Sequence, residues 1–108
     1  MPNLPYDPTT TLGRVRLLAT DTDLTNPIYS DDEINAFLFL EDDNTKRAAA
    51  LALETCAANE ALVLKRITLL DLSTDGPSTA RVLLERAKIL RENADADDSV
   101  ASFDWLPE

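Results

Sequence analysis

The stretch from Asn44 to Arg66, NTKRAAALALETCAANEALVLKR, decides the fold. It predicts one long helix, because its apolar residues recur at helical spacing and alanine is the best helix former. These residues fall on three stripes, which are Ala50, Leu53, Ala57, Ala61 and Leu64; Ala49, Ala52, Cys56, Val63 and Ile67; and Leu51, Ala58 and Leu62. A helix that is apolar nearly all round must be covered on several sides. We therefore expect it at the centre of a small core, and one stripe can in addition contact another subunit.

The other segments are predicted to surround this helix. Ser30 and Glu33 have the spacing of a capping box, which starts a helix with a buried stripe, while Phe39 points elsewhere. The residues of this stripe are Ile34, Phe37, Leu38 and Leu40. In chain order we predict an extended arm at residues 1–9, a short helix at 10–19, a loop at 20–29, a helix at 30–40, the long helix at 44–66, an extended loop at 67–76 and a last helix at 77–93. The predicted fold class is all-α, a small bundle of about four helices with one long central helix.

The end of the chain differs from the rest in composition. Residues 1–93 are predicted to form the helical domain, and residues 94–108 a flexible acidic tail that contains Phe103, Trp105 and Leu106. Short aromatic segments often fold on binding, and tryptophan is enriched at the centres of interfaces. The sequence therefore predicts that this tail docks on a partner, with a disordered tail that has no role as the alternative.

A second candidate contact lies on the outer face of the last predicted helix. Val82 and Ile89 are seven residues apart there, opposite the stripe that is expected to be buried. Exposed apolar residues of this kind are ordinary on soluble proteins. Both interpretations, a solvent-facing pair and a subunit contact, are compatible with the sequence.

Charge and cysteine content limit the classes of partner. The formal net charge is −10, from 20 acidic and 10 basic residues. This balance argues against sequence-specific DNA binding, which needs a basic patch. It is compatible with simple solubility, and also with a surface past which DNA moves without binding. The single cysteine, Cys56, allows no internal disulfide and indicates a reducing compartment. No apolar run approaches the ~20 residues of a membrane span, so we expect a cytosolic protein without a membrane partner.

Catalytic chemistry has little support in the sequence. There is no histidine and there are two glycines, which excludes an imidazole base and a glycine-rich phosphate loop. Cys56 therefore has no histidine to activate it. Asp21, Asp23 and Asp32 match part of a calcium loop, but Asn26 stands where that loop requires glycine. We predict a protein that is not an enzyme and that has no cofactor or metal.

The order of these segments and their local sequences resemble those of the head–tail connector proteins (adaptor, or head-completion, proteins) of long-tailed bacteriophages. The matching stretches are TLGRVR at 11–16, YSDDEI at 29–34, RAAALALE at 47–54, DLSTD at 71–75 and LRE at 90–92. The resemblance spans roughly Leu12 to Asn93 and carries no catalytic signature. The tail after Asn93 lies outside it.

The resemblance implies a structural virion protein at the head–tail junction, made in the host cytoplasm. Copies of the chain would form a ring, commonly of twelve subunits, under the portal protein. The ring would extend the channel through which DNA passes without specific binding, and would provide the docking surface for the next neck (stopper) or tail protein. In such a ring, Val82 and Ile89 would lie at the contact between neighbouring subunits. The loop residues Leu69, Leu70 and Leu72 and the tail residues Phe103, Trp105 and Leu106 are the expected contacts to the portal and the downstream neck protein.

An alternative function remains open. The chain can be a small acidic helical protein-binding module or inhibitor that acts as a monomer or dimer. A DNA mimic would need carboxylates spaced regularly along one face, whereas here they cluster in the loops and the tail. The missing histidines and glycine-rich loops also make an enzyme subunit a poorer interpretation.

Overall fold

Five helices make up the regular structure of the described residues. The structure is a computed structural model that describes the backbone of residues 7–70 and 75–105, and the side chains of residues 7–69 and 75–100. The helices are α1 (Thr11–Leu18), α2 (Asp31–Leu40), α3 (Thr45–Ala57), α4 (Glu60–Leu70) and α5 (Gly76–Trp105). These described ranges contain no strand, so the all-α prediction is confirmed.

A polar side chain caps the start of every helix in the described residues. The side-chain oxygen of the capping residue accepts a hydrogen bond from a backbone N–H two or three positions later, which would otherwise lack a partner. The capping residues are Thr10, Ser30, Asn44, Asn59 and Asp75. At α2 the bond is reciprocated, because the Glu33 carboxylate accepts from the Ser30 N–H at 2.9 Å. The predicted capping box is therefore confirmed.

The predicted long central helix is two helices. Helix α3 ends at Ala57, and Asn59 starts α4 by accepting a hydrogen bond from the Leu62 N–H at 3.2 Å. Asparagine competes for backbone hydrogen bonds and favours caps over helix interiors, which explains the break. Helix α4 then continues to Leu70, so residues 67–70 are helical and do not belong to the predicted loop.

The last helix continues well past its predicted end at Asn93. Helix α5 runs to Trp105, across the boundary predicted at residues 93 and 94. Ala94 is fully buried in the bundle. The acidic residues that follow bind the basic start of α3, since Asp97 lies 2.6 Å from Lys46, and Asp95 and Asp98 lie 2.8 and 2.7 Å from Arg47. The start of the predicted tail is therefore an ordered part of the helical body.

Helix α3 lies at the centre of the bundle, as the sequence predicts. Helices α1, α2, α4 and α5 all pack on it, and α5 packs along most of its length. Its buried residues are Ala48, Ala49, Ala50, Ala52, Leu53 and Cys56. Alanine on several faces lets the neighbouring helices approach closely. The chain itself thus covers this helix, and the exposed apolar residues lie on other elements.

We predict that Leu53→Ala lowers the free energy of unfolding by about 2–5 kcal/mol, because Leu53 is fully buried in α3 and its loss leaves a cavity. Urea unfolding followed by circular dichroism measures this change. The matched control is Leu64→Ala in α4, where the side chain is about half exposed and a much smaller loss is expected. Equal losses in the two variants would contradict the assignment of α3 to the core.

Candidate functional site

A groove runs between the end of α1 and the middle of α5. Both helices pack on α3, and between them lies a hollow of about 440 Å³. Its lining residues are Leu18, Val82, Glu85, Arg86, Ile89, Leu90 and Asn93. The Arg86 Nε–H spans the groove and donates to the Leu18 carbonyl oxygen at 3.2 Å. We call this feature the α1–α5 groove.

The structure brings the two predicted contact residues of α5 into this groove. The side chains of Val82 and Ile89 are 60% and 56% exposed. Leu18 of α1 also lines the groove, although it is partly buried and packs against the core. The contact itself stays a prediction.

A second exposed apolar feature ends α2. Phe39 and Leu40 are 82% and 67% exposed, and we call this pair the α2 knob. The turn that follows is tightly organised, because the Asp43 N–H donates to the Leu38 carbonyl at 2.7 Å and Asp42 adopts a left-handed φ of 55°. This pattern is that of a Schellman helix ending. The exposure of Phe39 agrees with its predicted place off the buried stripe. The prediction for Leu40 is wrong, because a residue two positions after the buried Leu38 lies on the opposite side of the helix.

An ion-pair cluster holds this turn against α5. The guanidinium of Arg91 lies 3.1 Å from the Glu41 carboxylate and 2.7 Å from that of Glu54 on α3. The hydrogen bond from Arg91 lowers the pKa of Glu54 below its ordinary value and keeps it ionised. Three helices therefore meet at Arg91, and the α2 knob projects from a backbone that is fixed at its base.

A buried guanidinium organises the loop between α1 and α2. Arg16 is 1% exposed, and its Nη1 lies 3.0 Å from the Asp21 carboxylate. Its Nη2 donates to the Tyr29 carbonyl at 2.9 Å and to the Asp31 carboxylate at 2.8 Å. The Asp21 carboxylate also accepts from the backbone N–H groups of Ile28 and Tyr29 at 2.8 and 2.9 Å. This network is structural, because the Asp21 carboxylate and both Nη groups of Arg16 are already paired, and only the Arg16 Nε lacks a partner in the described residues.

A second buried arginine lies beside a small cavity. Arg66 is 2% exposed, and its Nη1 donates to the Thr20 hydroxyl at 2.8 Å. Its Nε and Nη2 have no hydrogen-bond partner in the described part of the chain. The adjoining cavity of about 120 Å³ also borders the carboxylates of Asp21 and Asp23. It has room for water molecules that would satisfy the arginine, and the carboxylates disfavour an anion there.

The other predicted contact residues are brought together only in part. Leu69 lies in helix α4, where it packs partly buried against the core and borders the Arg66 cavity. Leu70 ends the same helix, and Leu72 lies outside the described residues. Phe103 and Trp105 belong to the last turns of α5, but their side chains, and Leu106 as a whole, lie outside the description. Their docking roles stay predictions.

The described residues contain no group of three potential metal ligands among Cys, Asp and Glu side chains. Cys56 is fully buried in α3. Among the helices described here, none has the length and hydropathy of a membrane span. The α1–α5 groove and the α2 knob are two exposed apolar features of the described residues.

No protein-family model matches this chain, and neither the characterised proteins nor the solved structures include a match. The resemblance to head–tail connector proteins thus rests only on the order of the segments and on their local sequences. The function must be argued from the surfaces that the fold presents.

We predict that Asp21→Asn lowers the free energy of unfolding by about 3–5 kcal/mol, because it removes the buried one of the two carboxylates that pair with the buried Arg16 charge. The matched control is Asp31→Asn, which removes the other carboxylate of the same arginine. The Asp31 side chain is mostly exposed, so a loss of about 1 kcal/mol or less is expected. Urea unfolding of both variants provides the comparison, and equal losses would reject a central role for Asp21.

Proposed function

We propose that this protein is a structural subunit of a bacteriophage head–tail connector. Copies would form a ring under the portal protein, extend the DNA channel, and present a docking surface to the next neck or tail protein. The observation that carries the proposal is the pair of exposed apolar features, the α1–α5 groove and the α2 knob, on a bundle whose central helix is already covered by its own chain.

A ring subunit needs two different contact surfaces. Head-to-tail contact is heterologous, so each copy must present one surface to its left neighbour and another to its right. The groove between α1 and α5 and the knob at the end of α2 are two such surfaces, and they differ in shape and in composition. A single self-complementary patch would instead favour a closed dimer.

The distribution of charge is also compatible with a DNA channel. The chain carries a net charge of −10, and Asp42 and Asp43 are exposed next to the α2 knob. Five of the ten basic residues, which are Arg16, Lys46, Arg47, Lys88 and Arg91, are engaged in ion pairs within the chain. A surface of this kind repels DNA phosphates on balance, and so would let DNA move past.

The alternative function uses the same groove for a different purpose. A small acidic binding module would dock a segment of another protein between α1 and α5 and would act as a monomer or dimer. Electron microscopy of the protein mixed with purified portal-bearing capsids distinguishes the two. Ring-shaped density at the portal vertex is expected from the connector, and bare vertices at saturating protein would reject it.

We predict that Val82→Asp combined with Ile89→Asp abolishes ring formation on portal-bearing capsids without unfolding the chain. Both side chains are more than half exposed, so a charge there disturbs contact between copies more than folding. The matched control is Leu84→Asp, which lies on α5 outside the groove and is about half exposed. Negative-stain counting of decorated vertices measures the effect, and undiminished decoration by the double variant would exclude this face.

We predict that Trp105→Ala weakens binding to portal-bearing capsids and leaves the helical content unchanged. Trp105 is the last residue of α5, seven positions after Asp98, which pairs with Arg47 of α3. Aromatic residues supply much of the binding energy at protein interfaces. Co-sedimentation with capsids measures the binding, and circular dichroism measures the helical content. Parent-like sedimentation of the variant would show that the end of the chain does not dock.

A further inference from the structure

We propose that the last turns of α5, residues 95–105, form a helical strap that ion pairs hold against the start of α3. When salt screens these charges, the strap would unfold while the bundle stays folded. We call residues 95–105 the α5 strap. The inference does not depend on the connector function, because it concerns contacts within one chain.

Apolar contact between α5 and the bundle ends where the strap begins. Among the described side chains, the last buried residue of α5 is Ala94, and every side chain from Asp95 to Val100 is exposed. Helical spacing would continue the buried stripe at positions 97 and 98, and both positions hold aspartate. The face of α5 that is apolar in the bundle is therefore acidic in the strap. The apolar residues of the stripe are Leu83, Ala87, Leu90 and Ala94.

Two basic residues in the first turn of α3 bind this acidic face. The Nζ of Lys46 lies 2.6 Å from the Asp97 carboxylate. The Nη2 of Arg47 lies 2.8 Å from the Asp95 carboxylate and 2.7 Å from that of Asp98. These three ion pairs connect the strap to α3 at the point where apolar packing has stopped.

The sequence of the strap by itself favours a helix only weakly. Six of its eleven residues are aspartate or serine, which are weaker helix formers than alanine. Like charges three positions apart, as at Asp95 and Asp98, repel each other on a helix surface. Carboxylates near the C-terminal end of a helix also interact unfavourably with its dipole. Lys46 and Arg47 offset this repulsion, so the helical state of the strap depends on them.

The ion pairs of the strap are open to solvent, which makes them sensitive to salt. The three aspartate side chains that form them are 61–75% exposed. The reach of such charges falls from about 30 Å at 0.01 M salt to about 3 Å at 1 M. Burial of Leu83, Ala87 and Leu90 in the bundle is apolar and is not weakened by screening. The two parts of α5 therefore respond differently to ionic strength.

The strap determines in which form the end of α5 meets a partner. Phe103 and Trp105 lie in the strap, and both are predicted to dock. With the ion pairs formed, a rigid helix that continues from the bundle would carry these two residues. With the ion pairs screened, they would lie on an unfolded segment, and docking would cost the entropy of ordering it.

Amide hydrogen exchange followed by mass spectrometry tests the inference. The full chain is exchanged at about 0.01 M and at about 1 M sodium chloride, and peptides from the strap are compared with peptides from α3. We expect exchange of the strap to become about five- to tenfold faster at the higher salt, because three exposed ion pairs are lost. Exchange of α3 should stay slow at both concentrations.

Lys46→Gln combined with Arg47→Gln tests the same contact at low salt. Both positions belong to α3, so the intrinsic helix propensity of residues 95–105 is unchanged. We expect the strap of this variant to exchange as fast at low salt as that of the parent chain at high salt. The matched control is Lys88→Gln, which removes a pair with Glu92 inside α5 and no contact to α3. The strap of this control should exchange at the parent rate.

Three results would overturn the inference. Slow exchange of the strap at high salt and in the double variant would show that other contacts hold it. Fast exchange of the strap in the parent chain at both salt concentrations would show that it is not attached to α3 in solution. Faster exchange of the strap and α3 together in the double variant would show that the strap does not unfold separately.

Discussion

The buried guanidinium of Arg16 is the interaction on which the arrangement of the first half of the chain depends. It joins α1 to Asp21, to the Tyr29 carbonyl and to the first turn of α2. Removing the positive charge from water is costly unless it is paired and hydrogen-bonded. The loop from Thr20 to Tyr29 therefore has to place its carboxylate and carbonyl groups around this side chain. The direction in which α2 leaves, and so the position of the α2 knob, follows from that constraint.

The small side chains of α3 determine how the remaining helices are arranged. Their alanines allow α1, α2 and α5 to approach from several directions, and the Tyr29 hydroxyl donates to the Ala52 carbonyl at 3.0 Å. The Tyr29 ring also packs edge-on against Phe37, with the centroids 4.9 Å apart. Because α1 and α5 both pack on α3, their outer edges remain separated. The groove between them is thus a consequence of how the core is filled.

Local signals in the sequence predicted the helical class, the capping box of α2 and the central place of residues 45–57. Periodicity could not reveal the break at Asn59, because apolar residues continue in phase on both sides of the cap. It also failed after Asn93, where the acidic residues of α5 look like a tail until Lys46 and Arg47 are known to lie beside them. Val82 and Ile89 were identified from their spacing alone. Phe39 and Leu40 became candidates only with the three-dimensional structure, because their exposure depends on which neighbouring helices fail to cover them.

In the turn after the α2 knob, the residues that carry the negative charge are not those that would make the backbone most stable. Asp42 and Asp43 both have left-handed φ angles, 55° and 61°, which glycine adopts at less cost. Both carboxylates also stand at the negative end of the α2 dipole, where acidic groups are disfavoured. A glycine at either position would ease the backbone, yet it would remove a negative charge from this corner. The most stable version of this corner and the most acidic one are therefore different sequences.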